Sequence, residues 1–504
     1  MEHGHETTGD VTTVSWGGGL VESLFATGRP GRRALRLPPW DGAPVDAALP
    51  PAARRAAPCD LPSLSEPEVM RHFTRLSTLN HNIERGMYPL GSCTMKYNPR
   101  LNEEIAALPG FASLHPEQDD ADAQGLLEAL GMLQDFLCRL TGFAACSLHP
   151  AAGAHGEFLG MQVIRAFHLE RGDRDRVEIL IPDSAHGTNP ASVTMVGMKP
   201  VTIASRADGR VDLAALRGAV GPRTAGIMIT NPNTLGLFET DIAEIARVVH
   251  AAGGRLYMDG ANFNAILGKA RPADMGFDVV HINLHKTFST PHGGGGPGAG
   301  PICVTAELAP FLPGPLVARR GGAWRLAAPE AVCTPSVHSY YGNVGICLRA
   351  LTYILVNGGN GLRRVSELAV LNANYVRVCL RDVIPVPHGE GTLHEFVASA
   401  TEWKEKYGIR ALDVAKRLLD FGVHAPTVYF PLIVDEALMV EPTESEPKES
   451  LDAFVAALRR ILHEAQTDPD LLHAAPHTTP VSRLDEARAA RQPDLAWLGP
   501  CNCG

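Results

Sequence analysis

Four short apolar runs constrain this chain most: VEILIP (177–182), AGIMIT (225–230), RLYMD (255–259) and VVHINL (279–284). Each run is continuously apolar, so each requires burial on both faces. A helical pattern near 241–252 lies between the second and third. It places Ile242, Ile245 and Val249 on one side, with Asp241 and Glu244 as a predicted capping box and Gly253 as a stop. Upstream, Leu126, Leu127, Leu130, Leu133, Leu137 and Leu140 form a second helical stripe ended by Gly142. Buried strands alternating with helices predict an α/β domain with a mostly parallel sheet, whose ligands sit beyond the carboxyl ends of the strands.

The flanks read differently. Residues 1–85 contain RLPPW, ALPPAARRAAP and DLPSLSEPEV. Proline blocks helices and breaks ladders, which predicts an irregular arm. From about 326, helices near 366–382, 409–421 and 446–466 alternate with HEFVAS (394–399) and YFPLIV (429–434). The expected organisation is an arm (1–85), a large domain (86–325), and a smaller α+β domain with a polar tail (326–504).

Composition removes several function classes. Lys plus Arg is 45 and Asp plus Glu is 55, a formal charge of −10 over 504 residues. That balance speaks against nucleic acid or an anionic membrane as main partner. No apolar run reaches the roughly 18 residues that a membrane-crossing helix needs. The ten Cys form no C-x-x-C pair, so neither a disulfide framework nor a structural zinc site is expected. Twenty His occur without an H-E-x-x-H spacing, and no metal site is predicted; Cys501 and Cys503 are read as a frayed tail. The N-terminus lacks the apolar core of a signal peptide, so the expected compartment is the cytoplasm.

The residues with chemical potential cluster at the ends of the apolar runs. In NLHKTFSTPHGGGGPGAGP (283–301), Lys286 closes a β-type run before a glycine-rich loop. A lysine there can form a Schiff base, although it can equally be a surface residue. Asp259 ends RLYMD, one strand–crossover–strand unit earlier, and Ala261 follows it. A carboxylate at that edge can hold a proton on a pyridine nitrogen, or simply cap a turn, and Lys plus Asp is the minimum for pyridoxal-phosphate chemistry. The small Ala261 can pack against a ring face. AAGAHGE (151–157) opens a helix, so the free N–H groups of Gly153, Ala154 and His155 can cradle a phosphate. His186, in PDSAHGTNPAS, can stack on a ring or serve as a loop residue. In MYPLGSCTMKYNP (87–99), Tyr88, Ser92, Cys93, Thr94 and Lys96 are candidates to bind a small carboxylate. A nucleophilic Cys93 is the other reading, but no adjacent base is visible.

Together these segments resemble one family. YPLGSCTMKYNP, AAGAHGE, SAHGTNPAS, TNPNTLGLFE, MDGANFNA, NLHKTFSTPHGGGGPG, YYGNVG, HEFV, YFPLIV, EPTESE and APHTTPV occur here in one order. They are similar to the glycine dehydrogenase (decarboxylating) family, the glycine-decarboxylating component of the glycine cleavage system. The half-length chain resembles its subunit 2 form.

The resemblance implies an aminotransferase-like fold, type I of the pyridoxal-phosphate enzymes. It implies pyridoxal 5'-phosphate held covalently on Lys286, with Asp259 at its ring nitrogen and His186 on its ring. The implied cofactor contacts also include Gly153, Ala154, His155, Ala261, Asn283 and His285. The implied reaction releases CO2 from glycine and passes the aminomethyl group to the lipoyl arm of the carrier H protein, whose disulfide is the oxidant. The implied partner is subunit 1, with two copies of each subunit. Two competing readings share some residues: another fold-type-I enzyme, such as an amino-acid decarboxylase or a cysteine desulfurase, and a cofactor-less scaffold subunit.

Overall fold

The computed structural model describes residues 13–16, 19–39, 41–42, 44, 49–55, 57, 59, 61–293, 298–327, 334–493 and 495. The glycine-rich stretch 294–297 and the Cys501 and Cys503 tail lie outside them. Two units are present: 1–82 with 474–504, and 83–473.

In the first unit, Thr13–Trp16 and Gly19–Glu22 form an antiparallel pair. The arm is not wholly irregular, because Glu66–Leu79 is helical. The Glu68 carboxylate closes its first turn by accepting from the Ser65 N–H (2.8 Å) and hydroxyl (2.7 Å). Pro67 sits in that first turn, where no intrahelical N–H bond is lost.

The second unit carries the regular elements. Helix α1 (Gln124–Thr141) buries Leu126, Leu127, Leu130, Leu133 and Leu137, and Gly142 caps it at φ 82°. Strand β1 (Ala145–Ser147) leads to α2 (Gly153–Glu170), β2 (Glu178–Pro182), α3 (Thr188–Met195) and β3 (Lys199–Ile203). Strand β4 (Thr224–Thr230), α4 (Ile242–Ala251), β5 (Arg255–Gly260), β6 (Val279–Ile282), the single turn α5 (Leu284–Thr287) and β7 (Ile302–Val304) follow. The sheet order is β1-β7-β6-β5-β4-β2-β3. Strands β3, β2, β4, β5 and β6 pair parallel, and β7 runs antiparallel to both β6 and β1. Strands β4, β5 and β6 are buried almost throughout, as their continuous apolar sequence requires.

Two expectations change here. Helix α4 has the predicted apolar face, but Asp241 makes no capping bond. Its carboxylate instead accepts from Arg206 (3.0 Å), and Glu244 pairs with Arg217 and Arg247. Strand β6 stops at Ile282, so Lys286 rides on the following helical turn rather than on the strand.

Beyond 326, α6 (Val344–Cys379) is two helical segments joined at Gly358, whose backbone is non-helical (φ 58°, ψ 179°). Strands β8 (Phe396–Ser399), β9 (Thr427–Val428) and β10 (Ala437–Val440) form an antiparallel sheet ordered β8-β10-β9. Helices α7 (Ala411–Asp420) and α8 (Lys448–Thr467) pack on it through Val414, Leu418, Phe454, Leu458 and Ile461. YFPLIV is not a strand. Tyr429 has φ 57° and Pro431 cannot donate to a ladder, so the ladder breaks between β9 and β10.

Candidate active site

The carboxyl ends of β2, β4, β5 and β6 and the N-terminus of α2 surround a cavity of about 380 Å³. Asp259 stands near the end of β5 and is almost fully buried. Its Oδ1 accepts from the Ala261 N–H (2.9 Å), which closes the turn after the strand. Its Oδ2 accepts from Asn189 Nδ2 (3.0 Å), and His281 Nε2 lies 3.4 Å from Oδ1. Burial is the largest influence on Asp259 and pushes its pKa up. His281, the Asn189 amide, the Ala261 N–H and Lys286 together outweigh it, so the group sits below the ordinary carboxylate value.

Glu157 faces the same cavity from α2, one turn in from its start. It accepts from Thr188 Oγ1 (2.8 Å), Asn189 Nδ2 (3.1 Å) and Ser192 Oγ (3.2 Å). Burial, then repulsion from Asp259, pushes it up to about 7. The two carboxylates that share Asn189 are therefore driven apart in acidity: Asp259 stays ionised and Glu157 takes a proton readily.

Lys286 also lines the cavity, and its Nζ donates to the Ser92 carbonyl oxygen (2.8 Å). The loop that supplies that oxygen is pinned to the smaller sheet. Gly91 N–H donates to Met439 O (3.2 Å), and Thr427 Oγ1 donates to Gly91 O (2.9 Å). A Cβ at Gly91 would lie 2.2 Å from the Met439 side chain and 2.7 Å from its carbonyl, so only glycine fits.

Gly153 and Ala154 line the cavity at the start of α2. Helix α2 begins at Gly153, and the first N–H groups of an α-helix have no intrahelical acceptor. A Cβ at Gly153 would come within 2.7 Å of the Asn283 side-chain amide. Asn283 Oδ1 and His285 Nδ1 are buried polar atoms without a protein partner, and both residues line the cavity. His155 has an exposed side chain that does not line the cavity, so its predicted role is confined to its backbone.

His186 lines the rim with Ala261, its Nδ1 2.9 Å from Thr188 Oγ1 and its ring edge-on to Phe430 at 5.5 Å. Partial burial is the main reason its pKa lies below the ordinary imidazole value, which favours a neutral ring.

The candidate carboxylate binders divide. Ser92 and Cys93 line the cavity, whereas Tyr88, Thr94 and Lys96 do not. Tyr88 stacks on His424 at 3.8 Å, and Thr94 Oγ1 donates to Glu441 (2.5 Å). Lys96 is buried against Glu444 (2.8 Å) and Asn264 (2.9 Å), so its charge is already neutralised. Cys93 does have a neighbouring base that its own segment could not reveal, because His292 Nε2 lies 3.2 Å from its Sγ. Burial pushes the Cys93 thiol up, so it stays protonated.

Sequence reasoning missed Glu157, Asn189, His281 and Glu395. His281 inside VVHINL was the available signal, because a polar residue inside a continuous buried strand requires a partner. It finds two, with Tyr257 OH 2.7 Å from its Nδ1.

Comparison with known proteins gives a consistent answer. The sequence profile of the glycine cleavage system P-protein matches residues 43–322, and that of the glycine dehydrogenase C-terminal domain matches 365–477. A protein of Thermococcus onnurineus is 54% identical over 479 residues, covering 94% of this chain and 95% of its own length. One from Caldanaerobacter subterraneus subsp. tengcongensis is 53% identical, covering 94% and 98%. Each bears the name "probable glycine dehydrogenase (decarboxylating) subunit 2". Among solved structures, an inhibitor-bound glycine decarboxylase (P-protein) of the glycine cleavage system superposes with TM-score 0.69 at 22% identity, covering 83% of this chain and 94% of that one. A cysteine desulfurase from Escherichia coli gives 0.58 at 17% identity, covering 75% and 95%. The fold they share is the aminotransferase-like fold, type I of the pyridoxal-phosphate enzymes. With over half of its length matched by one profile and relatives above 50% identity across nearly all of it, the chain belongs to the glycine cleavage system P-protein family.

Proposed function

We propose that this chain decarboxylates glycine with pyridoxal 5'-phosphate carried on Lys286, and passes the aminomethyl group to the lipoyl arm of a carrier H protein. The carrying observation is the convergence of Asp259, Lys286 and the N-terminus of α2 on one cavity. The free N–H groups at the start of α2 and the tight approach at Gly153 fit a group with a polar, anionic end. When bound, the cofactor supplies an electron sink for the pair released as the Cα–carboxylate bond breaks.

The chain's own residues do the rest. The N–H groups of Gly153, Ala154 and His155 bind the phosphate at the positive end of the 18-residue helix α2. Asp259, held ionised, keeps a proton on the ring nitrogen. Asn189 fixes that carboxylate's rotamer by donating to it. His186, neutral and steadied by Thr188, forms one wall against the ring, and Ala261 the other. Lys286 receives and gives the amine proton with the Ser92 carbonyl beside it. Ser92 and Cys93 border the space left for glycine. The "subunit 2" in the relatives' names supports a partner subunit 1, and we include two copies of each subunit in the proposal. A cytoplasmic location belongs to the same reading; no helix among the described residues is long and apolar enough to cross a membrane.

The test is to add pyridoxal phosphate to the purified chain, reduce with borohydride and map the labelled peptide. Label on Lys286 supports the proposal. Absence of label, with subunit 1 also present, favours the scaffold reading.

A further inference from the structure

Ser92 is a non-glycine residue at φ 61°, in the left-handed region. Such a backbone persists only where its surroundings hold it. Its N–H donates to Glu395 Oε2 (2.7 Å), while its carbonyl accepts from Lys286 Nζ. Glu395 is fully buried, just before β8. Its other oxygen accepts from Asn262 Nδ2 (3.0 Å), in the turn that follows Asp259 and Ala261. One carboxylate therefore ties the loop that meets Lys286 to the turn that carries Asp259.

We propose that Glu395 is a positioning residue for Lys286: it clamps the Ser92 peptide so that its carbonyl receives the Lys286 ammonium whenever that amine is free. An amine that bonds to and releases a cofactor needs a neutral acceptor that keeps it within reach. A carbonyl does this without forming the ion pair that would make the amine a poorer nucleophile. A buried carboxyl group is costly unless hydrogen-bonded; both oxygens of Glu395 accept N–H groups that anchor this loop and turn, while burial and the neighbouring Glu441 push its pKa well up. The inference rests on the reading that Lys286 carries the cofactor.

The test follows the rate of borohydride-trapped pyridoxal phosphate on Lys286 in the full chain, for wild type, Glu395→Gln, Glu395→Asp and Glu441→Gln. Gln cannot accept at both positions, and Asp keeps the carboxyl group but withdraws it by one methylene. Glu441 is a buried neighbour of Glu395 whose Oε1 accepts from Thr94. Trapping should slow about tenfold or more in Glu395→Gln, less in Glu395→Asp, and by no more than about threefold in Glu441→Gln. Amide exchange in the peptide holding Ser92 should quicken in Glu395→Gln alone among the two Gln variants. Wild-type trapping in either Glu395 variant that folds overturns the inference, as does equal slowing in Glu441→Gln. If wild type itself traps nothing on Lys286, the cofactor reading fails instead.

Discussion

Asp259 and His281 are register partners on adjacent parallel strands, and His281 Nε2 lies 3.4 Å from Asp259 Oδ1. The same imidazole meets Tyr257 OH at 2.7 Å through Nδ1. A phenol, an imidazole and a carboxylate are thus linked across β5 and β6, and the imidazole and the carboxylate border the cavity.

Asp259→Asn keeps the shape of that end and removes its charge. The ring proton then lacks its partner, and decarboxylation should fall by about 10²-fold or more, while some cofactor still binds. Single-turnover release of CO2 from glycine measures this. Equal rates for variant and wild type would sink the electron-sink role of Asp259.

Glu157 gives a stability prediction with a definite sign. Its pKa rises on folding from 4.5 to about 7. Between those values the folded chain keeps a proton that the unfolded chain has lost, so stability falls as pH rises through that window. The loss is on the order of 3 kcal/mol for Glu157. Glu441, pushed up to about 7 chiefly by burial, contributes in the same direction. Glu157→Gln should therefore flatten, without abolishing, the decline seen in denaturant melts across that window. Parallel curves for variant and wild type would show that Glu157 is not protonated on folding.

Gly153→Ala tests the cradle. The added methyl would meet the Asn283 amide at 2.7 Å, and overpacking of this kind costs about 1–3 kcal/mol. Alanine is a better helix former than glycine, so α2 itself should not weaken. Cofactor affinity, followed by titration of the visible band, should drop about tenfold. Unchanged affinity would place the phosphate elsewhere.

Lys96→Met separates a structural lysine from a substrate-binding one. The variant leaves the largely buried Glu444 side chain without its cation, held only by Asn264 and Tyr353, which costs up to about 3–5 kcal/mol. The melting temperature should fall sharply, while KM for glycine in the enzyme that remains folded stays close to wild type. A raised KM with unchanged melting would restore Lys96 to the substrate site.

Some parts of the molecule are legible in the sequence and others are not. The parallel sheet was legible because strands buried on both faces must be continuously apolar, as in β4 (TAGIMIT) and β5 (RLYMDG). Asp259 closes such a run, whereas Lys286 lies on the helical turn beyond one, and both line the cavity. The partners of Lys96 and Thr94 are not legible, because Glu444 lies 348 residues from the one and Glu441 347 from the other. Glu395 was invisible for the same reason, its contact with Ser92 spanning 303 residues. Apolar content suggested a strand in YFPLIV, yet Pro431 and the backbone of Tyr429 prevent one. In the arm, proline reads as a breaker, yet Pro67 sits in the first turn of a helix.

The most direct test of the central claim is exchange of labelled CO2 into the carboxyl carbon of glycine, with cofactor, subunit 1 and lipoylated carrier present. The account predicts glycine-dependent exchange that the carrier stimulates and that Lys286→Ala abolishes. Undiminished exchange in Lys286→Ala, or none in the complete wild-type mixture, would contradict it.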